Sequence, residues 1–400
     1  MTARKVLTYG HQCLDDLDRA AVMEVLKGDW LTQGPAVERF EQELAEYFGT
    51  RFAVVCSSGT AALHLAALCL GWRRRDVVLV PALTFLATAN CCLYVEAEPQ
   101  FVDVDERTLT IDPDEIERRV KSLRSEGRQV RAIIGVDLAG HSCDWPALRA
   151  LADRYDLQLV DDACHAMGGT YADGVKVGSC VHNDVTTLSF HPVKHITTAE
   201  GGAVLTNDPR LAESARRLRN HGTVRGRQMI PDWEGPWQYD MVELGYNFRL
   251  SDLQAALGSS QLRKIDRFVA RRREIASVYS DRLPQVSVQP LQEAPSVRHA
   301  YHLYIGRADF GQLGPTSRLA FFERCAERGI RLQVHYRPVV ENTFYKIRPE
   351  HQGATARLPV SYRFYRQAFS LPMHPQLTDA DIEHVLATVG ELIPAKVARS

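Results

Sequence analysis

Between about Arg51 and Asn207 the sequence alternates short, almost wholly apolar runs with longer segments of helical spacing. FAVVCSS (52–58) reads as a buried strand and GTAALHLAALCLG (59–71) as the helix after it. DVVLVPAL (76–83) and FLATANCCLYV (85–95) repeat the pair. EPQFVDVD (98–105) precedes PDEIERRVKSLRSEG (113–127), which opens on proline and closes on glycine as a helix should. AIIGVDL (132–138) and LQLVDD (157–162) flank the helical DWPALRALADRYD (144–156). TTLSF (186–190) and GAVLT (202–206) follow, joined by a polar loop. The alternation predicts an α/β domain around a mostly parallel sheet. Such sheets gather ligands at the C-terminal ends of their strands, so the chemistry is expected there.

After about Ser251 the pattern changes. SDLQAALGSSQLRKIDRFVARRREIASVYSDRL reads as one long amphipathic helix, with Ser251 or Asp252 as its N-cap. It leads into a smaller α+β unit. The expected division is therefore a large α/β domain over 1–250, N-terminal segment included, and a smaller C-terminal domain over 251–400. The stretch 222–240 is the expected long functional loop. Lys and Arg (48) nearly balance Asp and Glu (49), so neither nucleic acid nor an anionic membrane is implied as a partner. There are nine cysteines, an odd number, and no CxxC, which fits reduced thiols in the cytoplasm better than a disulfide framework. The polar N-terminus does not read as a signal peptide, and no apolar run is long enough to span a membrane.

Three motifs carry chemistry. SSGT (57–60) closes a strand and opens a helix. The helix start and the hydroxyls of Ser58 and Thr60 suit a phosphate, and Gly59 admits a close backbone approach; a plain N-cap is the alternative. VDDACHA (160–166) sets two carboxylates at a strand end, where one can hold a pyridine nitrogen protonated or merely cap a turn. SFHPVKHITTAEGG (189–202) places Lys194 among hydroxyls and histidines. A lysine in such a cavity loses its proton more readily and can attack an aldehyde, while Ser189 can reach a phosphate. The Gly-Gly pairs 168–169 and 201–202 ask for no more than tight turns, and RRR (73–75) for a solvated one. The His- and Cys-rich stretch 141–195 is too scattered for a metal site. His141 and His182 read as turn or surface residues.

The order SSGTAALH, TFLATAN, VDDACHA, SFHPVKHITTAEGG and GYNFRLSDLQAALG resembles the DegT/DnrJ/StrS-type sugar aminotransferases, from roughly residue 7 to 375. The resemblance implies the fold of the pyridoxal 5′-phosphate (PLP)-dependent transferases of fold type I. It makes Lys194 the catalytic lysine that holds PLP as a Schiff base and Asp162 the partner of the ring nitrogen. His165 falls where the ring's phenolic oxygen is contacted, and Phe85 where an aromatic stacks on the ring. Ser58, Gly59, Thr60 and Ser189 take phosphate positions. Asn247 takes a phosphate position reached from a second subunit, which implies a homodimer with shared sites.

GDWLTQGP, EGPWQYDMVELGYNFRLSD and QVHYRPV further resemble the branch of UDP-4-amino-4,6-dideoxy-N-acetyl-β-L-altrosamine transaminases of pseudaminic acid synthesis. That similarity assigns Tyr9, Asp29, Trp30, Leu31, Thr32, His335, Tyr336, Arg337 and Pro338 to the sugar-nucleotide site. The implied reaction moves an amino group from glutamate to C4 of a nucleotide-linked 4-keto-6-deoxy sugar, UDP-linked in that branch. A dTDP- or GDP-linked sugar is the alternative. A related enzyme branch that dehydrates sugars replaces the lysine with histidine, and a non-catalytic regulator would have lost the lysine or the aspartate. Both residues are present here.

Overall fold

The computed structural model describes residues 6–311 and 317–393. The extreme ends of the two expected domains, 1–5 and 394–400, lie outside the described residues. The chain opens with β1 (Leu7–Thr8), α1 (Asp16–Lys27) and α2 (Pro35–Phe48). The alternating region follows: β2 (Phe52–Cys56), α3 (Gly59–Cys69), β3 (Asp76–Pro81), α4 (Leu86–Tyr94), β4 (Glu98–Val102), α5 (Pro113–Ser125), β5 (Gln129–Val136), α6 (Trp145–Tyr155), β6 (Gln158–Asp162), β7 (Thr170–Tyr171), β8 (Val185–Ser189) and β9 (Gly202–Thr206). Seven of these strands form one sheet in the order β2-β9-β8-β6-β5-β3-β4. Only β9 runs against its neighbours, β2 and β8.

Both faces of the sheet are covered, so its strands are buried at nearly every position. Successive residues serve opposite sides. Val54 and Cys56 pack with α3, while Ala53 and Val55 pack with α2. Leu79, Ile133 and Leu159 close a further cluster against α5 and α6. Helix starts follow their caps: Ser58 accepts the Ala61 N–H at α3, and Asp112 and Asp144 cap the proline-led α5 and α6.

Beyond α7 (Pro209–Leu218), β10 (Thr223–Arg225) and β11 (Tyr239–Met241) pair antiparallel. The expected loop at 222–240 is thus a hairpin with a long tip. It and the residues after it expose Trp237, Tyr239, Met241, Val242 and Leu244.

The single long helix expected after Ser251 is two. Ser251 forms a capping box with Gln254 at the start of α8 (Asp252–Leu262), and α9 (Ile265–Arg282) begins after a break at Arg263–Lys264. The break coincides with a tertiary tie, because Lys264 Nζ reaches Asp15 at 2.8 Å and Asp18 at 2.7 Å. α8 and the first half of α9 pack with α2 and the sheet. From Ile275 onward α9 belongs to a second core. There β12 (Gln289–Pro290), β14 (Tyr304–Arg307) and β16 (Ala368–Leu371) form an antiparallel sheet against the helices Arg318–Glu327 and Asp379–Leu392, while β13 (Val297–Arg298) pairs with β7. β15 (Ile330–Arg331) pairs in parallel with β1, so the N-terminal strand is stitched to this second core. The chain after β15 returns to the large sheet, where the Val339 N–H donates to Ala82 O at 2.9 Å.

Candidate active site

The C-terminal ends of β2, β3, β5, β6 and β8 and the start of β9 converge on one side of the sheet. A cavity of about 650 Å³ opens there. Its wall includes Ser58, Gly59, Thr60, Phe85, Asp162, His165, Ser189 and Lys194, together with Tyr9, His335, Tyr336 and Arg337. Twelve residues spread from position 9 to 337 in the sequence therefore meet around one space.

The phosphate-type end is built from close packing. A Cβ on Gly59 would stand 2.8 Å from the Ser189 Cβ, so only glycine lets β8 lie against the start of α3. A Cβ on Gly202 would fall 2.4 Å from the Ser58 carbonyl oxygen. Gly202 is thus more than the tight turn expected: it is a strand residue whose missing side chain makes room for the 58–60 backbone. The first N–H groups of α3 have no intrahelical partners and carry the positive end of the helix dipole. They face the cavity beside the hydroxyls of Ser58, Thr60 and Ser189, which is a donor set for a phosphate.

At the floor, Asp162 is 6% exposed and doubly held. Thr88 Oγ1 donates to its Oδ2 at 2.7 Å, and the Cys164 N–H donates to Oδ1 at 3.3 Å. Since Thr88 gives its proton to Asp162, Thr84, 2.7 Å away, donates to Thr88. Burial holds the Lys194 ammonium below its ordinary pKa, against the opposing pull of Cys164 and Asp162. The lysine therefore spends more time as the neutral, nucleophilic amine.

His165 is buried and kept neutral, by burial first and then by the charges of Lys194, His335 and His195. Its Nδ1 accepts the Ala139 N–H at 3.3 Å, which leaves the proton on Nε2, 3.2 Å from Tyr336 Oη. His302 packs on it with ring centroids 4.4 Å apart. His335 is oriented by Ser370, 2.8 Å from Nδ1, and burial with the Lys194 charge pushes its pKa down to about 3. Tyr9 meets His335 edge-on at 4.7 Å. Phe85 is 55% exposed at the rim, its ring 6.3 Å from that of Tyr336. Buried Pro338 follows behind the wall.

Six of the residues named from the sequence do not line this cavity, Pro338 and five that lie elsewhere. Asp29 and Trp30 edge a separate cleft of about 510 Å³ between α1, α2 and α8. Leu31 and Thr32 are exposed, with Thr32 bridged to Ser251 and Leu31 O accepting the Asp252 N–H at 3.0 Å. Asn247 is exposed and bridged to Asn220.

Sequence reading missed Thr84, Thr88 and His302. The two threonines stand four apart at the start of a helix inside the TFLATAN motif, a spacing that puts both on one face and could have flagged them. His302 carries no local signal. His141 is corrected as well. It is 3% exposed, not a surface residue, and ties two backbone segments through Ser142 O and the Ala294 N–H. His195 is a buried strut whose Nε2 meets Ala300 O at 3.0 Å.

The space fits a phosphorylated pyridine aldehyde. It offers an anion cradle at one end, a carboxylate at the floor and an amine of lowered basicity between them.

Comparison with known proteins agrees. Residues 12–390 match the DegT/DnrJ/EryC1/StrS aminotransferase family. The UDP-4-amino-4,6-dideoxy-N-acetyl-beta-L-altrosamine transaminase of Campylobacter jejuni is 37% identical over 97% of this chain and 98% of its own. Among solved structures, Helicobacter pylori PseC, an aminotransferase involved in the biosynthesis of pseudoaminic acid, superimposes with a TM-score of 0.86 at 30% identity, over 97% and 99% of the two chains. The PLP form of the putative sugar aminotransferase Spr1654 from Streptococcus pneumoniae gives 0.85 at 28% identity, over 97% and 98%.

Proposed function

This chain belongs to the DegT/DnrJ/EryC1/StrS aminotransferase family and is a PLP-dependent sugar aminotransferase, and on that premise we propose that it carries an amino group from glutamate to C4 of a UDP-linked 4-keto-6-deoxy sugar of the pseudaminic acid type. The observation that carries this reading is the meeting of Lys194, Asp162 and the Ser58–Gly59–Thr60/Ser189 cradle in one cavity whose far wall is Tyr9, His335, Tyr336 and Arg337.

When bound, PLP supplies an aldehyde carbon that captures amines and a ring that accepts electrons from the adjacent carbon. The chain's residues do the rest. Ser58, Thr60, Ser189 and the start of α3 bind the phosphate. Asp162 keeps a proton on the ring nitrogen through a charge-assisted hydrogen bond, an interaction worth roughly 1.5–3 kcal/mol. His165, neutral and protonated on Nε2, donates toward the ring's phenolic oxygen, and Phe85 covers the ring. Lys194 would hold the aldehyde carbon, and its amine, when free, would take up and return a proton at the amino donor's Cα, a positioned transfer worth about 10²–10⁴-fold. Tyr9 and the His335–Pro338 strip receive the sugar. The relative from Campylobacter jejuni supports the choice of a UDP-linked altrosamine-type sugar.

The working unit is a homodimer in this reading. Asn247 and Asp29–Thr32 are exposed off the cavity wall, and the Thr32–Ser251 bridge ties the second segment to the stretch that follows Asn247. They are free to complete the site of a second subunit, and the apolar side chains exposed along the β10–β11 hairpin supply surface for that contact. The nine cysteines are all free, which fits a cytoplasmic enzyme. Among the described residues no helix is long and apolar enough to cross a membrane.

The test is amine transfer from glutamate, followed by product mass, against UDP-, dTDP- and GDP-linked 4-keto-6-deoxy sugars. Turnover confined to dTDP- or GDP-linked sugars would reject the nucleotide assignment while leaving the reaction class intact.

A further inference from the structure

Three carboxylates crowd the ends of two adjacent strands. Asp161 and Asp162 close β6, and Asp137 follows β5, whose last residues, Gly135 and Val136, stand in register with them. Asp137 and Asp161 are 0% exposed. Three neighbouring carboxylates cannot all stay ionised in an interior, because each buried charge loses its hydration and like charges repel strongly at short range. The hydrogen bonds indicate where the proton goes. Asp162 has a donor on each oxygen. Asp137 Oδ1 accepts from the Cys143 N–H at 2.8 Å and from Trp145 Nε1 at 3.3 Å, but its Oδ2 has no partner. Asp161 Oδ2 accepts from Thr186 Oγ1 at 3.3 Å, but its Oδ1 has none. The Asp137 N–H donates to Asp162 O at 3.2 Å, so the β5–β6 pairing runs on to Asp137 and sets it beside Asp161 on the same sheet face.

We propose that Asp137 and Asp161 share one proton and, as a singly charged acid pair, position Asp162 and set the field in which it works. One proton between the two open oxygens satisfies both at once, whereas leaving either open costs about 1–3 kcal/mol or more. Burial raises both acids, helped at Asp137 by the charge of Asp162 and at Asp161 by the charges of Asp137 and Asp162, taking Asp137 to about 7 and Asp161 well above the carboxylate range. The other titratable groups facing them are Asp162, the thiols of Cys143, Cys164 and Cys180, and the Tyr171 phenol. None of these brings a positive charge. The pair acts through Asp162 and so rests on the reading of Asp162 as the ring partner. Asp137 and Asp161 are positioning residues that touch no substrate.

The proposal makes an unusual demand on charge. In Asp161→Asn the amide donates to Asp137, which then ionises, so the pair keeps one negative charge. The same holds for Asp137→Asn. Only the double variant loses the charge. The test uses holoenzyme carrying ¹³C-carboxyl aspartate, read by infrared spectroscopy at about pH 8, well above an ordinary aspartate pKa. The wild type should show an isotope-sensitive carboxylic-acid carbonyl band, and each single variant should lack it. The pH midpoint of the cofactor's visible absorbance should coincide in the wild type and both single variants. In the double variant it should fall by about one pH unit, because a cation at Lys194 loses a negative neighbour. Absence of the band from the wild type overturns the shared proton. So does a single-variant shift as large as the double variant's. A band that behaves as expected with no shift in the double variant overturns the positioning role. The reading of Asp162 fails separately: Asp162→Asn holoenzyme with wild-type absorbance would sink it while leaving the band in place.

Discussion

The residues at the strand ends and those on the exposed 29–32 and 222–247 segments are built on opposite terms. Ser58, Asp162, His165 and Ser189 are set by a sheet buried on both faces, and their partners lie within the same protomer. Asp29–Thr32 and Asn247 are held mainly by backbone bridges, and the adjoining hairpin leaves Trp237 and Leu244 about three-quarters exposed. A reacting centre needs the first kind of construction, because a nucleophile and a ring partner must hold position before anything binds. The second kind of surface gains its neighbours only by assembly. If that contrast is right, damage to the strand ends destroys each site on its own, whereas damage to the exposed segments can be rescued by another subunit.

The largest effect belongs to Lys194. Lys194→Ala should lose the visible absorbance of the bound cofactor and at least about 10²–10⁴-fold in turnover, measured as amine transfer from glutamate. Retained turnover would break the strand-end half of the comparison outright. Asp162→Asn should come next, at about tenfold to a hundredfold from the loss of one charge-assisted bond, while Asp161→Asn should cost only a few-fold. Equal, mild losses in the two variants would remove Asp162 from its role.

Gly202→Ala tests the packing beneath the cradle. Its Cβ would meet the Ser58 carbonyl oxygen at 2.4 Å, so the variant should lose about 1–3 kcal/mol of stability and bind PLP more weakly. Equilibrium unfolding and cofactor titration would report the two effects separately. Wild-type values in both would mean that the cradle is loose.

The smallest effect is the most diagnostic of the exposed half. Lys194→Ala and Asn247→Ala proteins, each poorly active, should recover activity when mixed and allowed to exchange subunits. In a heterodimer one site carries both lesions and the other carries neither. With random exchange about a quarter of the wild-type activity should return. Exchange confirmed by intact mass without recovery would confine Asn247 to its own chain.

Much of this was legible in the sequence because parallel strands buried on both faces betray themselves as unbroken apolar runs, and their ends are where a ligand can sit. The seven-stranded sheet and the gathering of Ser58, Asp162, Ser189 and Lys194 followed from that. What stayed hidden was tertiary. Nothing local breaks the helical pattern at Arg263–Lys264; the break goes with the pull of Asp15 and Asp18 on Lys264 from nearly the whole large domain away. Asp137 looked like the end of a strand, and only the register of β5 with β6 sets it beside Asp161. Gly202 looked like half of a turn, and only the approach of the Ser58 carbonyl shows why a side chain is excluded.

The central claim is that Lys194, in the loop between β8 and β9, is the residue that holds the cofactor. Borohydride reduction of the holoenzyme, followed by digestion and peptide mass mapping, tests it most directly. The account predicts one pyridoxyl-modified peptide, containing SFHPVKHITT with the adduct on Lys194. An adduct on any other lysine, or none on this peptide in a protein that still transfers amine, would contradict it.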